Sequence, residues 1–194
     1  VVGLPSVSVF AAARAGDRIA AVLQTEGSAP VALLALVDSA GTLLGQTVLD
    51  AIVLPTGTNF AGDGSVAMTA ERIAIGAALY QPGSVRVLIE LRDIDLRYVT
   101  GAALDGHRAV AVQRTAAGFR FATVTPTSTV EVRELTDAGL GAPVASLPIG
   151  PGASYGIAWT GDALAWAEAS DVVIAGLDGR QRRFALPAGI SSLA

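Results

Sequence analysis

The segment Gly152-Ala153-Ser154-Tyr155-Gly156 has the G-x-S-x-G spacing of a nucleophile elbow, where a strained strand-to-helix turn lifts a serine above a sheet. The next residues, Ile157-Ala158-Trp159-Thr160-Gly161-Asp162, read as a short strand and a turn, and the single histidine, His107, precedes the serine instead of coming after it. The spacing therefore reads as a loop entering a strand. His107 sits in Asp105-Gly106-His107-Arg108, a turn between units, and one histidine without cysteine partners cannot complete a conventional zinc set. Asp93-Ile94-Asp95 and Asn59-Phe60-Ala61-Gly62-Asp63 offer oxygens for Ca²⁺ but lack the acid ladder and terminal glutamate of an EF-type loop, so turn chemistry accounts for both. Trp159 and Trp166 flank the Gly161-Asp162 turn on neighbouring strands; such aromatics stack on sugars, yet aromatic content is only 5%, and core packing is the default. Glu26, Asp63, Asp105 and Glu168 lie in or beside loops expected to open on one face. An acid pair for glycoside hydrolysis needs a spatial separation that sequence spacing does not supply.

The elements that must position these residues repeat. Arg18-Ile19-Ala20-Ala21-Val22, Arg72-Ile73-Ala74-Ile75, Phe119-Arg120-Phe121-Ala122-Thr123 and Ala163-Leu164-Ala165-Trp166 each come after a short turn, at starts roughly 54, 47 and 44 residues apart. A second marker keeps the same beat. Asp38-Ser39-Ala40-Gly41, Asp93-Ile94-Asp95, Asp137-Ala138-Gly139 and Asp178-Gly179 each separate two apolar runs, as hairpin turns do. Helical spacing never persists across eleven residues, and alternation predicts four strands in each of four units, about 4–50, 60–104, 105–148 and 152–190. The expected strands are Ser6 to Ala13, Arg18 to Thr25, Val31 to Val37 and Thr42 to Leu49, then Ser65 to Thr69, Arg72 to Tyr80, Ser84 to Leu91 and Leu96 to Ala102. The third unit gives Arg108 to Arg114, Phe119 to Val124, Thr129 to Leu135 and Pro143 to Leu147; the fourth gives Tyr155 to Trp159, Ala163 to Glu168, Val172 to Leu177 and Arg182 to Leu186. Ala51 to Gly64 reads as the longest loop.

Composition narrows the classes. Among 194 residues 52% are apolar and 15% charged, a balance suited to sheets covered on both faces. The basic residues are 13 arginines and no lysine, as a GC-rich bacterial genome would produce, and a net charge of −4 argues against a surface that tracks phosphates. Arg180, Arg182 and Arg183 form the one dense basic spot, read as a solvated edge strand. With no cysteine there is no disulfide framework, thiolate metal site or cysteine nucleophile. The longest apolar run, Ala29 to Val37, is far short of the ~20 residues a spanning helix needs. The chain begins at Val1 without a signal-peptide pattern, which fits a mature, trimmed or excised form and an extracytoplasmic setting, secreted or periplasmic.

Four four-stranded antiparallel meanders in series resemble the blades of a β-propeller, and the resemblance covers nearly the whole chain as a single domain. No Trp-Asp pair, kelch Gly-Gly or sialidase-type Asp-box is intact, and Tyr98-Val99-Thr100-Gly101 departs from the YVTN pattern at its fourth position. The resemblance implies an all-β fold that is a four-bladed ring, half of a larger propeller completed by another copy or chain, or a piece of a longer chain. A hemopexin-like ring would carry a cysteine pair, which is missing here. Ligands of propellers enter at the face built by inter-unit loops and second-to-third-strand loops, so the residues assigned to ligand contact are Trp159, Trp166, Tyr155, Glu168, Glu26 and His107. The expected function is a non-enzymatic module for protein–protein interaction, self-association or assembly, with no cofactor and no metal. The second reading is a carbohydrate-binding propeller or part of a polysaccharide-active enzyme, and the third is an enzyme with an acid pair in an axial channel.

Overall fold

The computed structural model describes residues 7–25, 31–49, 59–81, 83–150 and 153–185. Among them are sixteen β-strands and no helix. The first sheet holds β1 (Val7–Ala15), β2 (Arg18–Thr25), β3 (Ala32–Asp38) and β4 (Leu43–Val48). The second holds β5 (Asn59–Met68), β6 (Arg72–Gln81), β7 (Ser84–Asp93) and β8 (Tyr98–Asp105). The third holds β9 (Arg108–Arg114), β10 (Phe119–Val124), β11 (Thr129–Thr136) and β12 (Gly139–Pro148). The fourth holds β13 (Ala153–Thr160), β14 (Ala163–Glu168), β15 (Asp171–Gly176) and β16 (Gln181–Ala185). In all four sheets the strands pair antiparallel in chain order, so each sheet is a meander.

Three of the four repeated aspartates cap the turns that the spacing predicts, whereas Asp137 pairs with Arg72 and its turn uses Thr136 Oγ1 as acceptor for the Ala138 amide. Asp38 Oδ1 accepts the amides of Ala40 (2.9 Å) and Thr42 (2.7 Å), and Asp93 Oδ1 accepts those of Asp95 (2.9 Å) and Arg97 (2.9 Å). Asp178 Oδ1 does the same for Arg180 at 3.1 Å. Each is an Asx-type turn that gives a hairpin backbone a local acceptor. Gly161, at φ 60°, takes the left-handed position in the β13–β14 turn that a side chain would strain.

Several boundaries shift from the sequence reading, two of them by four residues or more. Asn59 to Gly64, read as loop, belongs to β5: Asn59 and Phe60 pair with Tyr80 and Leu79 of the ten-residue β6, and a register shift before Gly64 absorbs the extra residues. β12 starts at Gly139 rather than Pro143, because Gly139 pairs with Thr136 directly after a tight turn and irregularities near Arg133 carry the ladder past Pro143. Residues 51–58 of the expected loop lie outside the described residues.

The sheets pack face to face in chain order, with β1 against β5, β5 against β9 and β9 against β13. Three separate apolar cores fill the spaces between consecutive sheets. Strand alternation decides what each core receives. On the second strand of a sheet, one set of side chains faces the preceding sheet: Ile73, Ile75, Ala77 and Leu79 in the second, Phe119 and Phe121 in the third, Leu164 and Trp166 in the fourth. The alternate set faces the next sheet and is smaller: Ala20 and Val22 in the first, Ala74 and Ala78 in the second, Ala122 and Val124 in the third. Gly76 belongs to the small set, and a Cβ there would strike Val110 and meet Val112 Cγ2 at 3.2 Å and Phe121 Cε1 at 3.3 Å. Along the second strands, small side chains on one sheet thus share each internal interface with large ones on the next, part of the interdigitation that gives cores their density.

Polar bonds clasp the same interfaces. The Val112 amide donates to Ser65 Oγ at 2.9 Å between the second and third sheets, and the Trp159 indole donates to the Ala111 carbonyl at 3.2 Å between the third and fourth. Between the first two, Arg92 is buried with Glu90 (2.8 Å) and donates to the carbonyls of Leu96 (2.9 Å) and Val48 (3.3 Å). A buried pair of this kind is matched to its own surroundings, since either charge alone would be uncompensated.

Candidate functional site: the end faces of the stack and its loop end

Among the described residues the series of interfaces stops at the first and fourth sheets, and each has one face that packs against no other sheet, although Leu23 and Ala35 on the first are buried. On the first sheet, cross-strand register places Val9, Leu23, Leu33 and Val48 in one row and Ala12, Ala21, Ala35 and Gln46 in the next. A third row adds Arg14, Ile19, Val37 and Leu43. Val9 is 63% exposed, Leu43 49% and Val48 43%. On the fourth sheet the open face carries Ala158, Ala165, Ile174 and Arg182 in one row, flanked by Ala163 on one side and by Ala167, Val172 and Phe184 on the other. Phe184 is 51% exposed. Among the described residues, β13 and β1 form no packed pair like those joining consecutive first strands, so neither face covers the other. Both patches are apolar at the middle strands, and their edge strands mix exposed Val9, Leu43, Val48 and Phe184 with Arg14, Gln46 and Arg182.

Of the loops expected to share one end, those around Gly106, Pro126 and Ile149 lie close together, while residues 26–29 and 51–58 lie outside the described residues. The Gly106 amide donates to the Val85 carbonyl at 2.7 Å, Pro126 Cγ lies 2.7 Å from where a Gly106 Cβ would sit, and the Ile149 amide donates to the Ser128 carbonyl at 3.2 Å. Within this end the most constrained group is Glu168. One carboxylate oxygen accepts the Gly150 amide (2.6 Å) and the Trp166 indole N–H (2.8 Å), and the other meets Arg183 at 2.5 Å. Burial pushes its pKa up, but the indole, the amide and the guanidinium together outweigh it and hold the carboxyl below the ordinary glutamate value. At neutral pH Glu168 is thereby an anion that ties the β12–β13 loop to β14 and β16.

Of the residues assigned to ligand contact, Trp166 is buried at 1% exposure between the third and fourth sheets, Trp159 is half-buried in the same core, and both indole N–H groups are engaged inside the protein. His107 is half-buried, with Nδ1 3.0 Å from Thr123 Oγ1; desolvation lowers its pKa, against an opposing pull from Glu131 and with help from Arg133. The Tyr155 side chain and Glu26 lie outside the described residues. The structure brings Glu168 and Trp166 together and leaves His107 apart, in the turn between β8 and β9. Ser154 enters β13, a strand, so the G-x-S-x-G segment lacks the helix that an elbow needs. Asp93 serves its own turn, and no group of three or more acids or histidines that could hold a metal occurs among the described residues. No helix of the described residues is long and apolar enough to cross a membrane.

What the sequence reading missed is the order of side-chain size on the second strands. Its signal is the alternation of Ile73 and Ile75 with Ala74 and Gly76, and of Leu164 and Trp166 with Ala163 and Ala165. At the hairpin end a cleft of about 250 Å³ between the second and third sheets is crossed by a two-bond ion pair, Arg72 to Asp137 at 3.0 and 2.6 Å. The Arg72 hydrogen bonds hold the Asp137 carboxyl below its ordinary range, and the two groups satisfy each other.

No protein-family model and no curated protein matches the sequence. Among solved structures, the chain is similar to the one titled "Crystal structure of the computationally designed Ika4 protein", at 13% identity and a TM-score of 0.46, with 96% of each chain covered.

Proposed function

We propose that the chain is a non-enzymatic assembly and binding module: four blades of a β-propeller whose end faces are built to receive further sheets and whose loop end is the presenting surface. One observation carries this reading. Among the described residues three interfaces between consecutive sheets are filled and the outer face of each end sheet packs against no further sheet, with Val9, Leu43 and Phe184 about half exposed or more. Apolar patches of this kind on a soluble protein mark interaction surfaces. The successive packing of β1, β5, β9 and β13 supports blades arranged about an axis, with the first strand of each innermost. The loop end, stiffened by the Glu168 anchor, supplies the rigid platform that binding loops require.

Sedimentation velocity of the purified protein at micromolar concentration tests the reading. The expected result is an assembled species that dissociates on dilution. A stable monomer, indifferent to concentration and binding no added partner through its end faces, would overturn it.

A further inference from the structure

We propose that the partner of these end faces is a second copy of the same chain, joined head to tail. The fourth sheet of one copy packs on the first sheet of the other, and two copies close a ring of eight sheets. The inference rests on the assembly reading above and adds who the partner is and how it docks.

The contact continues the interfaces the chain already makes. On the second strands a small-residue row of one sheet shares its interface with a large-residue row of the next, Ala20 and Val22 with Ile73 and Ile75, Ala74 and Gly76 with Phe119 and Phe121, Ala122 and Val124 with Leu164 and Trp166, while the third strands send Leu34 and Leu36, Ile89 and Leu91, and Val130 and Val132 forward into the same interfaces. The open face of the fourth sheet continues the small set with Ala163, Ala165 and Ala167 on β14. The open face of the first continues the other set with Ile19, Ala21 and Leu23 on β2, at the positions where the second sheet has Ile73, Ile75 and Ala77. The two end faces are therefore unlike each other and complementary, which makes the contact heterologous. Two like fourth-sheet faces would pair the β14 alanines with residues no larger at their centre and leave that strand thinly packed.

Heterologous contacts either close into a ring or run on as a filament. Propellers close with about 4 to 8 blades. Four sheets from each of two copies reach the upper end of that range, whereas three copies exceed it. Closure by two copies also covers both faces of both chains, so no apolar sheet is left in water.

Mixing face-blocked variants tests this. Ala165→Arg blocks the fourth-sheet face and Ala21→Arg blocks the first-sheet face; both positions lie on the open faces, and circular dichroism with thermal unfolding of each dilute variant confirms folding. Phe184→Glu and Val48→Glu, at positions already exposed, replace either variant that fails to fold. The wild type is expected to sediment as a dimer and each variant alone as a monomer. Their equimolar mixture recovers a dimer containing one copy of each, because the Ala165→Arg copy keeps its first-sheet face and the Ala21→Arg copy its fourth. A variant that dimerises alone, or a mixture that stays monomeric at the highest soluble concentration, overturns the head-to-tail contact while leaving an assembling wild type consistent with the broader reading. A wild type that polymerises without limit overturns the two-copy ring. A monomeric wild type that takes up a different partner on its end faces overturns the second copy alone, and one that takes up none removes both.

Discussion

Ile73 and Ile19 occupy the same position in consecutive repeats, the second residue of the second strand, facing the preceding sheet, and they differ in what covers them. Ile73 is fully buried against the first sheet, while Ile19 is half-buried on the open face. Truncating Ile73 to alanine removes buried methylene groups and leaves a cavity that its neighbours only partly fill. The cost is about 2–5 kcal/mol. For a chain of 194 residues each kcal/mol shifts Tm by roughly 2–4 °C, so the transition falls by about 4–20 °C. Ile19→Ala in an isolated copy loses only part of a transfer term and opens no enclosed cavity, a cost of about 1 kcal/mol. In the assembled protein the second copy buries the same side chain, and the cost rises toward the Ile73 value and depends on protein concentration. Urea unfolding monitored by the fluorescence of Trp159 and Trp166, at a dilute and a concentrated setting, reads both numbers. Equal costs for the two variants in the dilute protein, or an Ile19→Ala cost unchanged by concentration, would refute the reasoning.

Other consequences are open to measurement. Trp166→Ala empties a site that is 1% exposed and strips Glu168 of one donor, so it should destabilise by about 3–5 kcal/mol in chemical denaturation, more than Trp159→Ala at its half-buried position. Because the folded-state pKa of Glu168 lies below its unfolded value near 4.5, its contribution to stability is fully present above that pH and is lost as pH falls through the folded value. Thermal unfolding across the acid range should therefore show a shallower decline in Glu168→Gln than in the wild type, and parallel curves would contradict the anchor. Gly76→Ala drives a Cβ into Val110 and should cost about 1–3 kcal/mol by overpacking, with the second–third sheet interface losing hydrogen-exchange protection first.

The meanders were legible because hairpin chemistry is local. An aspartate that bonds amides two and four residues on, as Asp38 and Asp93 do, leaves its mark within a single turn. The start of β5 was not legible, since Gly62 and Gly64 suggest a loop and only pairing with the long β6 extends the strand to Asn59. The Glu168 anchor was equally hidden: its partners Gly150 and Arg183 are distant in sequence and meet it only when the inter-unit loop and β16 are folded beside β14. Size alternation along the second strands stood in the sequence from the outset. Its meaning depends on which side the next sheet lies, and that is a property of the packed stack.

The chain contains no cysteine, so introduced thiols report only the contact they are placed in. A protein carrying both Ala165→Cys and Ala21→Cys, treated with a short bis-maleimide, tests the central claim most directly. The predicted product is a covalent dimer on a denaturing gel, formed by the double variant and by a mixture of the two single variants, and by neither single variant alone. Linking confined within one chain, or a single variant that links to itself, would contradict the account.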